Sequence, residues 1–331
     1  MSGPPDVDYT ATSARPSWSA LPLSLQHSLA VALGTEIAGA GPSVRSGFTG
    51  GFAAPLRLAD GREVFVKASD DSMHAYSAYQ REAEVVPQLP PAIRVPPIVA
   101  TAHAREGEVN WFAVAAERIS GRMPGTPWTA RDFDTVTETC VTMAEALTPS
   151  PLAGLELFIA EVEDLGFPLT LPTEIHSGDR PLPAGFQPWL GLRLQELQDL
   201  VDLYPEALAG DAAVHGDLRP DNLLVDPDGR CWTLDWNWLS LGPPWFDWLC
   251  LLPLAHRDGI DTIAALRTNP LTAGVPADHL DCLAAVIAVY MLNNLDAPPP
   301  PGCTPELRRH QRLYGWAFLD WLAVRRGWVK A

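Results

Sequence analysis

Lysine is almost absent from this chain of 331 residues, in which Lys67 and Lys330 stand against 21 arginines. Long apolar runs are absent too, since no stretch approaches the roughly 18 consecutive apolar residues of a membrane-spanning helix. The N-terminal residues Met1–Asp6 have neither the basic start nor the apolar core of a secretory signal. The lack of a long apolar run and of secretory-signal features predicts a cytoplasmic protein that does not span a membrane.

Cysteine is scarce and irregularly spaced. The chain has five cysteines, an odd number, and no Cys-x-x-Cys pair; they are residues 140, 231, 250, 282 and 303. Cysteines in such a pattern are expected to be reduced and buried, without structural zinc.

Positive charge is also in deficit, because the net charge is −17 and the calculated pI is near 4.7. A surface this acidic repels nucleic-acid phosphates, so nucleic acid is not expected as a partner. It permits a cationic small molecule, although an acidic surface also simply keeps a protein in solution. The sequence leaves the oligomeric state open.

The most informative segment reads His-Gly-Asp-Leu-Arg-Pro-Asp-Asn and runs from His215 to Asn222. An apolar run, a turn and Asp235 follow it. This order is the catalytic-loop arrangement of kinases. There the first Asp, here Asp217, accepts the proton of an incoming hydroxyl, while the Asn and the second Asp hold magnesium. Asp217 is therefore the candidate base, and Asn222 and Asp235 are the candidate metal ligands.

The segment between the two candidate metal ligands predicts a β-hairpin. Two β-prone runs, Leu223–Val225 and Cys231–Leu234, flank a turn that contains Asp228 and Gly229. A hairpin folds back on itself, so Asn222 and Asp235 are expected side by side although thirteen residues separate them. Oxygen ligands that share a site with phosphate are what Mg²⁺ requires.

These motifs resemble the aminoglycoside phosphotransferase family, the small-molecule branch of the protein-kinase-like fold. In that family the loop reads His-Gly-Asp-x-x-x-x-Asn, and the second Asp heads a segment that ends in Gly-Pro-x-x-x-Asp, here Asp235 to Asp247. The resemblance implies an α+β bilobal fold, with a small antiparallel-sheet N-lobe and a larger, mainly helical C-lobe. It also implies that Asp247 is structural and ties the loop to backbone amides.

The resemblance further implies transfer of the γ-phosphoryl group of ATP, with Mg²⁺, to a hydroxyl of a small molecule. The acceptor is expected to be an aminoglycoside-like compound or another antibiotic or natural product. Two alternatives stay open, namely a kinase of a primary metabolite and a nucleotide-binding pseudokinase with a regulatory role. The sequence does not distinguish ATP from GTP.

Lys67 is the candidate phosphate-binding lysine. It lies in the β-prone run Glu63–Ala68, after an Asp-Gly turn. A chain that elsewhere uses arginine keeps a lysine where a compact point charge suits the inner phosphates. In the kinase fold this lysine pairs with a Glu of the following helix, for which Glu82 is preferred over Glu84.

Two backbone segments complete the expected nucleotide site. The glycine-rich stretch that contains Gly47 and Gly50 would let backbone amides approach phosphate oxygens. The apolar run that ends near Gly121 resembles the hinge between kinase lobes, which implies adenine contacts at the backbone of Glu117 and Ile119.

Other roles stay open at this stage. Arg219 either stabilises charge on the transferring phosphate or pairs with a nearby acid. His215 is expected to be a structural hydrogen-bonding residue. Four tryptophans near Asp235 either line an acceptor pocket or pack the core: 236, 238, 245 and 248. The acidic candidates for holding an acceptor amine are Glu161, Glu163, Asp164 and Asp296.

The predicted organisation has three parts. Residues 1–20 are rich in Pro, Ser and Ala and are expected to be disordered. Residues 21–120 form the N-lobe, and residues 121–331 form the C-lobe with the catalytic loop, the metal site and the acceptor pocket. Apolar periodicity predicts these helices: 21–33, 73–89, 131–147, 189–204, 277–295 and 305–326.

Overall fold

A computed structural model describes residues 7–48, 50–164, 166–186, 188–300 and 302–329. The first part of the chain forms one sheet and two helices. In chain order these are α1 Leu23–Leu33, β1 Ile37–Ala40, β2 Phe52–Leu58, β3 Glu63–Asp70, α2 His74–Val85, β4 Ile98–Glu106 and β5 Val109–Glu117. The five strands are all antiparallel to their neighbours, in the order β1-β2-β3-β5-β4.

Strand alternation gives the two faces of this sheet different roles. Val66 and Ala68 of β3 point to the α1 face, where they join a core built with the leucines of α1. Lys67 lies between them and therefore points to the opposite face. There α2 packs, with Tyr79 of α2 against Val114 of β5, the residue paired with Lys67. The period of two along β3 is what aims the lysine at α2.

The second part of the chain is mainly helical. Its elements are α3 Ala130–Leu147, α4 Phe158–Asp164, α5 Leu171–Ser177, α6 Leu194–Val201, α7 Tyr204–Ala207, β6 Ala212–Val214, β7 Leu223–Val225, β8 Cys231–Thr233, β9 Ser240–Gly242, α8 Phe246–Arg257, α9 Thr262–Thr268, α10 Ala277–Asn293 and α11 Glu306–Arg325. Strand β6 pairs with β9, and β7 pairs with β8 as a hairpin. One continuous apolar core fills this part, with Trp236, Trp248 and Trp321 among its fully buried side chains.

The predicted α+β fold, with a small antiparallel sheet before a larger helical part, is confirmed. One predicted helix, 189–204, is instead three short pieces: a 3-10 turn at Pro188–Leu192, then α6, then α7. Arg193 leaves the helical conformation at φ −121° and ψ 8°. Pro205 lies in the first turn of α7, where its missing N–H costs no hydrogen bond because amides of a first turn have no partner within the helix. In a helix that continued from α6, the missing N–H would cost one hydrogen bond.

The expected disorder of residues 1–20 is wrong for residues 7–20, while Met1–Asp6 lie outside the described residues. Thr12 and Ser13 are fully buried. The amide of Ser13 donates to the carbonyl of Arg45 at 3.0 Å, and the amide of Ala14 donates to that of Gly302 at 3.1 Å. Composition suggested disorder, but these polar residues are fixed by hydrogen bonds to distant backbone rather than by apolar burial.

Two of the five cysteines depart from the predicted burial, since Cys250 and Cys303 are only half-buried, although all five are free thiols. No helix in the described part of the chain combines the length and the apolar character needed to cross a bilayer.

Gly210 offers a test of the β6–β9 packing. A Cβ at this position would lie 2.1 Å from the carbonyl oxygen of Gly242, a backbone atom that cannot rotate away. We expect Gly210→Ala to lower the free energy of unfolding by about 1–3 kcal/mol, as overpacking does. Urea denaturation measures it.

Gly191→Ala is the matched control, because its Cβ would meet nothing within 4 Å. It should change stability by less than about 0.5 kcal/mol. Equal stability of the two variants would show that the backbone at Gly210 yields without cost.

Candidate active site

The catalytic loop leaves β6 and is anchored from beneath by one carboxylate. Asp247, at the start of α8, accepts the amides of His215 at 2.8 Å and Gly216 at 3.1 Å. Gly216 has φ +78°, and a Cβ there would lie 2.4 Å from the carbonyl oxygen of Trp238, so only glycine fits. The contacts of Asp247 are those that the family resemblance implied.

His215 is a structural residue. It is fully buried, and burial lowers the pKa of its imidazole, so the ring is neutral. Its Nε2 lies 2.8 Å from the carbonyl oxygen of Leu234, and its Nδ1 accepts the amide of Asp217 at 3.4 Å. The ring thus connects the catalytic loop to the residue before Asp235.

Asp217 and Arg219 face each other across the loop. The guanidinium of Arg219 contacts the carboxylate of Asp217 and binds both oxygens of Asp221, at 3.0 and 3.1 Å. Burial raises the pKa of Asp217 to about 6, although the charge of Arg219 opposes that shift. Of the two roles left open for Arg219, the structure presents pairing with nearby acids.

The hairpin brings Asn222 and Asp235 together, as its sequence predicted. The amide of Leu234 donates to the carbonyl of Asn222 at 2.9 Å, which sets Asp235 beside the loop. Asn222 Nδ2 donates to the backbone oxygen of Asp217 at 2.7 Å, so its Oδ1 is left available to a cation. Asp235 is the only non-glycine residue with positive φ in the described chain, at +62°. Such a conformation is rare outside glycine and often marks a functional site.

This donor set suits magnesium better than a metal held entirely by protein. Asn222 and Asp235 offer one amide oxygen and one carboxylate, both hard ligands. No group of three or more His, Cys, Asp or Glu side chains in the described residues could hold a metal ion. Mg²⁺ commonly takes one or two protein oxygens and completes its octahedron with water and nucleotide phosphates. The residues present therefore fit a magnesium ion, which Asn222 and Asp235 would hold.

Lys67 connects the sheet to the hairpin. Its Nζ binds both oxygens of Glu82, at 2.8 and 2.9 Å, and also contacts Asp235. Burial alone would lower the pKa of Lys67, but the charges of Asp235 and Glu82 outweigh it and raise that pKa. The lysine therefore stays charged. Glu84, the rival partner, is exposed on the outer side of α2.

The glycine-rich stretch lies over this centre. Gly47 has φ +85°. Gly50 lies against the backbone of Gly302, since a Cβ on Gly50 would lie 2.7 Å from Cα of Gly302. Phe48 packs on the guanidinium of Arg219, 5.2 Å from its ring centroid, and on the ring of His310. The loop therefore reaches down to the catalytic loop.

The predicted hinge follows β5. The side chain of Glu117 is exposed and that of Ile119 is half-buried, so any adenine contact there falls to their backbone. The linker then joins the C-terminal part, because Arg122 and Val225 exchange two backbone hydrogen bonds of 3.0 and 2.8 Å. A Cβ on Gly121 would lie 2.7 Å from the side chain of Leu224, which sets that leucine directly beneath the linker.

The acidic acceptor candidates differ in their exposure and contacts. Glu163 accepts the hydroxyl of Tyr204 at 2.6 Å. Asp164 and Asp296 are exposed, and Glu161 is half-buried. Burial raises the pKa of Glu161 to about 7 against the opposing charge of Arg81, with Glu156 adding to the rise.

The four tryptophans near Asp235 mostly pack the core. Trp236, Trp245 and Trp248 are buried. Trp238 is half-buried and stacks on His74, with 5.6 Å between ring centroids. Of the two interpretations left open, core packing therefore applies to three of the four.

The family of the chain follows from a sequence match. The model of the phosphotransferase enzyme family (APH) matches residues 47–285, which is most of the chain. The chain therefore belongs to this family, and the predicted enzyme class, a small-molecule phosphotransferase, is confirmed. The comparison with curated proteins finds no match.

Solved structures share the fold at low sequence identity. A thermostable mutant of aminoglycoside phosphotransferase APH(4)-Ia, with AMP-PNP and hygromycin B, is 16% identical, with 92% of this chain and 99% of that chain covered and a TM-score of 0.58. Aminoglycoside 2'-phosphotransferase-IIIa with GDP is 15% identical, with 88% and 93% covered and a TM-score of 0.55. A proposed fructosamine-3-kinase from Thermobifida fusca YX-ER1 is 18% identical, with 90% and 99% covered and a TM-score of 0.50.

Sequence reasoning missed three residues of this centre. Asp221 was given no role, although its position two residues after Arg219 was a usable signal. Leu224 was seen only as part of a strand. Arg15, whose guanidinium donates to the glycine loop at Gly51 O (2.7 Å) and Ser46 O (3.1 Å), had no local signal, since these contacts span more than thirty residues.

Asp247→Asn tests the anchor of the catalytic loop. One amide oxygen can still accept one backbone N–H, but the new NH₂ group faces the other N–H, so a buried donor is left without an acceptor. We expect the free energy of unfolding to fall by about 1–3 kcal/mol. Urea denaturation checks this, with exposed Asp211→Asn as the control. Equal midpoints for the two variants would show that the anchor contributes nothing.

Glu161 gives stability a pH dependence of known sign. Because its folded pKa is raised from 4.5 to about 7, the folded state holds the proton more tightly. Stability is therefore lost as pH rises between these values. We expect the melting temperature of Glu161→Gln, relative to that of the wild type, to be higher at pH 8 than at pH 5. Exposed Glu145→Gln should show no such change, and a pH-independent difference for Glu161→Gln would contradict the shift.

Proposed function

We propose that this enzyme transfers the γ-phosphoryl group of ATP to a hydroxyl of a small molecule, with magnesium. One observation carries the proposal. The candidate base Asp217, the candidate metal ligands Asn222 and Asp235, and the pair of Lys67 with Glu82 converge beneath one glycine loop. These are the parts that kinase-type phosphoryl transfer uses.

Asp217 would orient the acceptor hydroxyl and take its proton as the oxygen attacks the γ-phosphorus and the bond to the β-phosphate oxygen breaks. A pKa of about 6 suits this role, because the carboxylate is ionised at neutral pH yet basic enough to accept a proton. In a loose transition state the proton moves late, so holding the hydroxyl in line matters as much as basicity.

The nucleotide would lie between the two lobes. Lys67, kept charged and oriented by Glu82, would bind the inner phosphates. Asn222 and Asp235 would hold Mg²⁺, which when bound neutralises charge on the phosphates. The backbone of Glu117 and Ile119 would meet the adenine above Leu224. One relative has been solved with GDP, which keeps GTP as the alternative phosphoryl donor.

Arg219 would act through its two acids. Its bidentate pair with Asp221 fixes the guanidinium, and the remaining N–H group reaches Asp217. It therefore holds the candidate base in place. In the other role that the sequence left open, it would stabilise charge on the transferring phosphate.

An aminoglycoside-like acceptor is the first candidate. Relatives have been solved with kanamycin and with hygromycin B. The chain's net charge of −17 would attract a compound with several amines.

A metabolite with fewer amines is the second candidate, and a local observation favours it. Phe167 stacks on Tyr290 with 4.4 Å between ring centroids, and the charge of Asp217 adds to the burial that raises the pKa of Tyr290. An aromatic pair this close to the candidate base suits a ring more than a polyamine. A coupled assay of ADP release over antibiotics, sugars and amino alcohols separates the two candidates. No turnover with any hydroxyl compound, despite nucleotide binding, would favour a pseudokinase.

Asp217→Ala and Asp235→Ala should fail in different ways. Loss of the candidate base should lower turnover by about 10²–10⁴-fold, the usual contribution of such a group, while Mg-ATP still binds. Loss of Asp235 should instead abolish the magnesium dependence of nucleotide binding. Thermal shift with and without Mg-ATP measures binding, and ADP release measures turnover.

Asp228→Ala is the control for both variants. It removes a carboxylate from the exposed hairpin turn, where Asp228 pairs with Arg230 at 3.0 Å. It should match the wild type in both assays. Undiminished turnover of Asp217→Ala would refute the assignment of the base.

A further inference from the structure

A short segment near the N-terminus lies between the glycine loop and the segment that leads into α11. We call its residues 11–14 the N-terminal clasp. On the side of the glycine loop, the hydroxyl of Thr12 shares its proton between the carbonyls of Arg45 and Gly47, at 2.9 and 2.7 Å. The amide of Ser13 donates to Arg45 O at 3.0 Å. The clasp therefore binds the start of the glycine loop through carbonyl oxygens.

The clasp also binds the segment that precedes α11. The amide of Ala14 donates to the carbonyl of Gly302 at 3.1 Å. Thr304 donates to Thr12 O from its amide at 3.1 Å and from its hydroxyl at 3.2 Å, and that hydroxyl also reaches Ala11 O at 2.8 Å. Because Thr12 bonds to both sides, it joins the glycine loop to the helical part of the chain.

The centre of the clasp excludes water. Thr12 and Ser13 are fully buried. Buried hydroxyl, amide and carbonyl groups that lose their protein partners have no water to replace them, so separating the two sides costs free energy. The clasp is therefore a connection that resists opening.

The glycine loop also contacts the helical part directly. The thiol of Cys303 donates to Phe48 O at 3.0 Å. The ring of Phe48 lies 4.4 Å from that of His310 on α11, between centroids, and its centroid lies 5.2 Å from the guanidinium of Arg219. The clasp thus holds the loop at a position where its tip meets the catalytic loop.

We propose that Thr12 is a positioning residue, which ties the glycine loop to residues 302–304, holds the loop over the nucleotide phosphates and thereby slows the release of ADP. The inference rests on the proposed function, because the loop acts on a phosphate-bearing ligand. It extends the nucleotide site to two segments outside the family-matched residues 47–285, one before them and one after.

The test is the release of Mg-ADP from the full chain, measured with a fluorophore on the ribose of ADP and an excess of unlabelled Mg-ATP. ADP leaves when the loop lifts from its phosphates, and lifting the loop breaks the hydroxyl bond of Thr12. Thr12→Val removes that hydroxyl and keeps the shape of the side chain, so release should be about tenfold faster than in the wild type, the effect of losing one buried hydrogen bond.

Two matched variants control for the substitution itself. Thr12→Ser keeps the hydroxyl and should release ADP at the wild-type rate. Thr10→Val removes an exposed hydroxyl two residues away, which donates to Asp8 at 2.6 Å, and should also match the wild type.

Thr304→Val tests the other side of the clasp. It should also speed the release of ADP, whereas Thr304→Ser, which keeps the hydroxyl, should not. Because both threonines act through one connection, the double variant Thr12→Val/Thr304→Val should release ADP more slowly than the product of the two single effects requires. Rates that simply multiply would mean two independent structural effects and would overturn the proposal.

The remaining outcomes separate this inference from the proposed function. Thr12→Val should bind adenosine as the wild type does, because adenosine has no phosphate for the loop to hold. An equal weakening for adenosine and ADP, or release of ADP at the wild-type rate, would overturn the inference alone. If Thr12→Val does not fold, Thr304→Val decides, and wild-type release in that variant overturns the inference. If the wild type binds no Mg-ADP, the proposed function falls and the inference falls with it.

Discussion

The ammonium group of Lys67 joins three parts of the molecule that are distant in sequence. It lies on β3, its partner Glu82 lies on α2, and Asp235 follows the C-terminal hairpin. The side chains of Lys67 and Glu82 are only 15% and 11% exposed, so each charge would be costly alone. Removing the lysine would leave two carboxylates facing each other in a poorly hydrated space. The relative placement of sheet, helix and hairpin therefore depends on this contact.

The catalytic loop depends on a second, independent constraint. Its backbone passes through a positive φ at Gly216, and the chain reaches another at Asp235. Asp247 binds the amides on one side of the turn, and the imidazole of His215 ties the loop to Leu234. Two buried hydrogen-bonding groups thus hold these backbone conformations, of which the one at Asp235 is unfavourable for a residue with a side chain. As a result, hydrogen bonds within the protein position Asp217 and Asp235 without a bound ligand.

The sequence predicted contacts between residues close in the chain better than contacts between distant residues. The loop and hairpin were predictable because Asn222 and Asp235 are joined by a local turn whose residues specify it. Lys67 was found because lysine is rare here, and the alternation along β3 decided its direction. The fixed position of Thr12 and Ser13 could not be found in this way, because their hydroxyls donate to backbone carbonyls more than thirty residues away, for which no side-chain pattern selects. Composition then suggested disorder where tertiary hydrogen bonds fix the chain.

The use of arginine and lysine shows how the chain divides two physical tasks. Arg219 must hold two carboxylates in fixed directions, and a planar guanidinium with five donors does this where an ammonium group would not. Arg15 spans the ends of the glycine loop for the same reason. At β3 the task is different, because a compact charge lies between Glu82 and Asp235. Among the described residues, this is the one position that keeps a lysine. An ammonium group fits there because both carboxylates contact one nitrogen atom, whereas Arg219 meets Asp217 and Asp221 through different nitrogens of a planar fork.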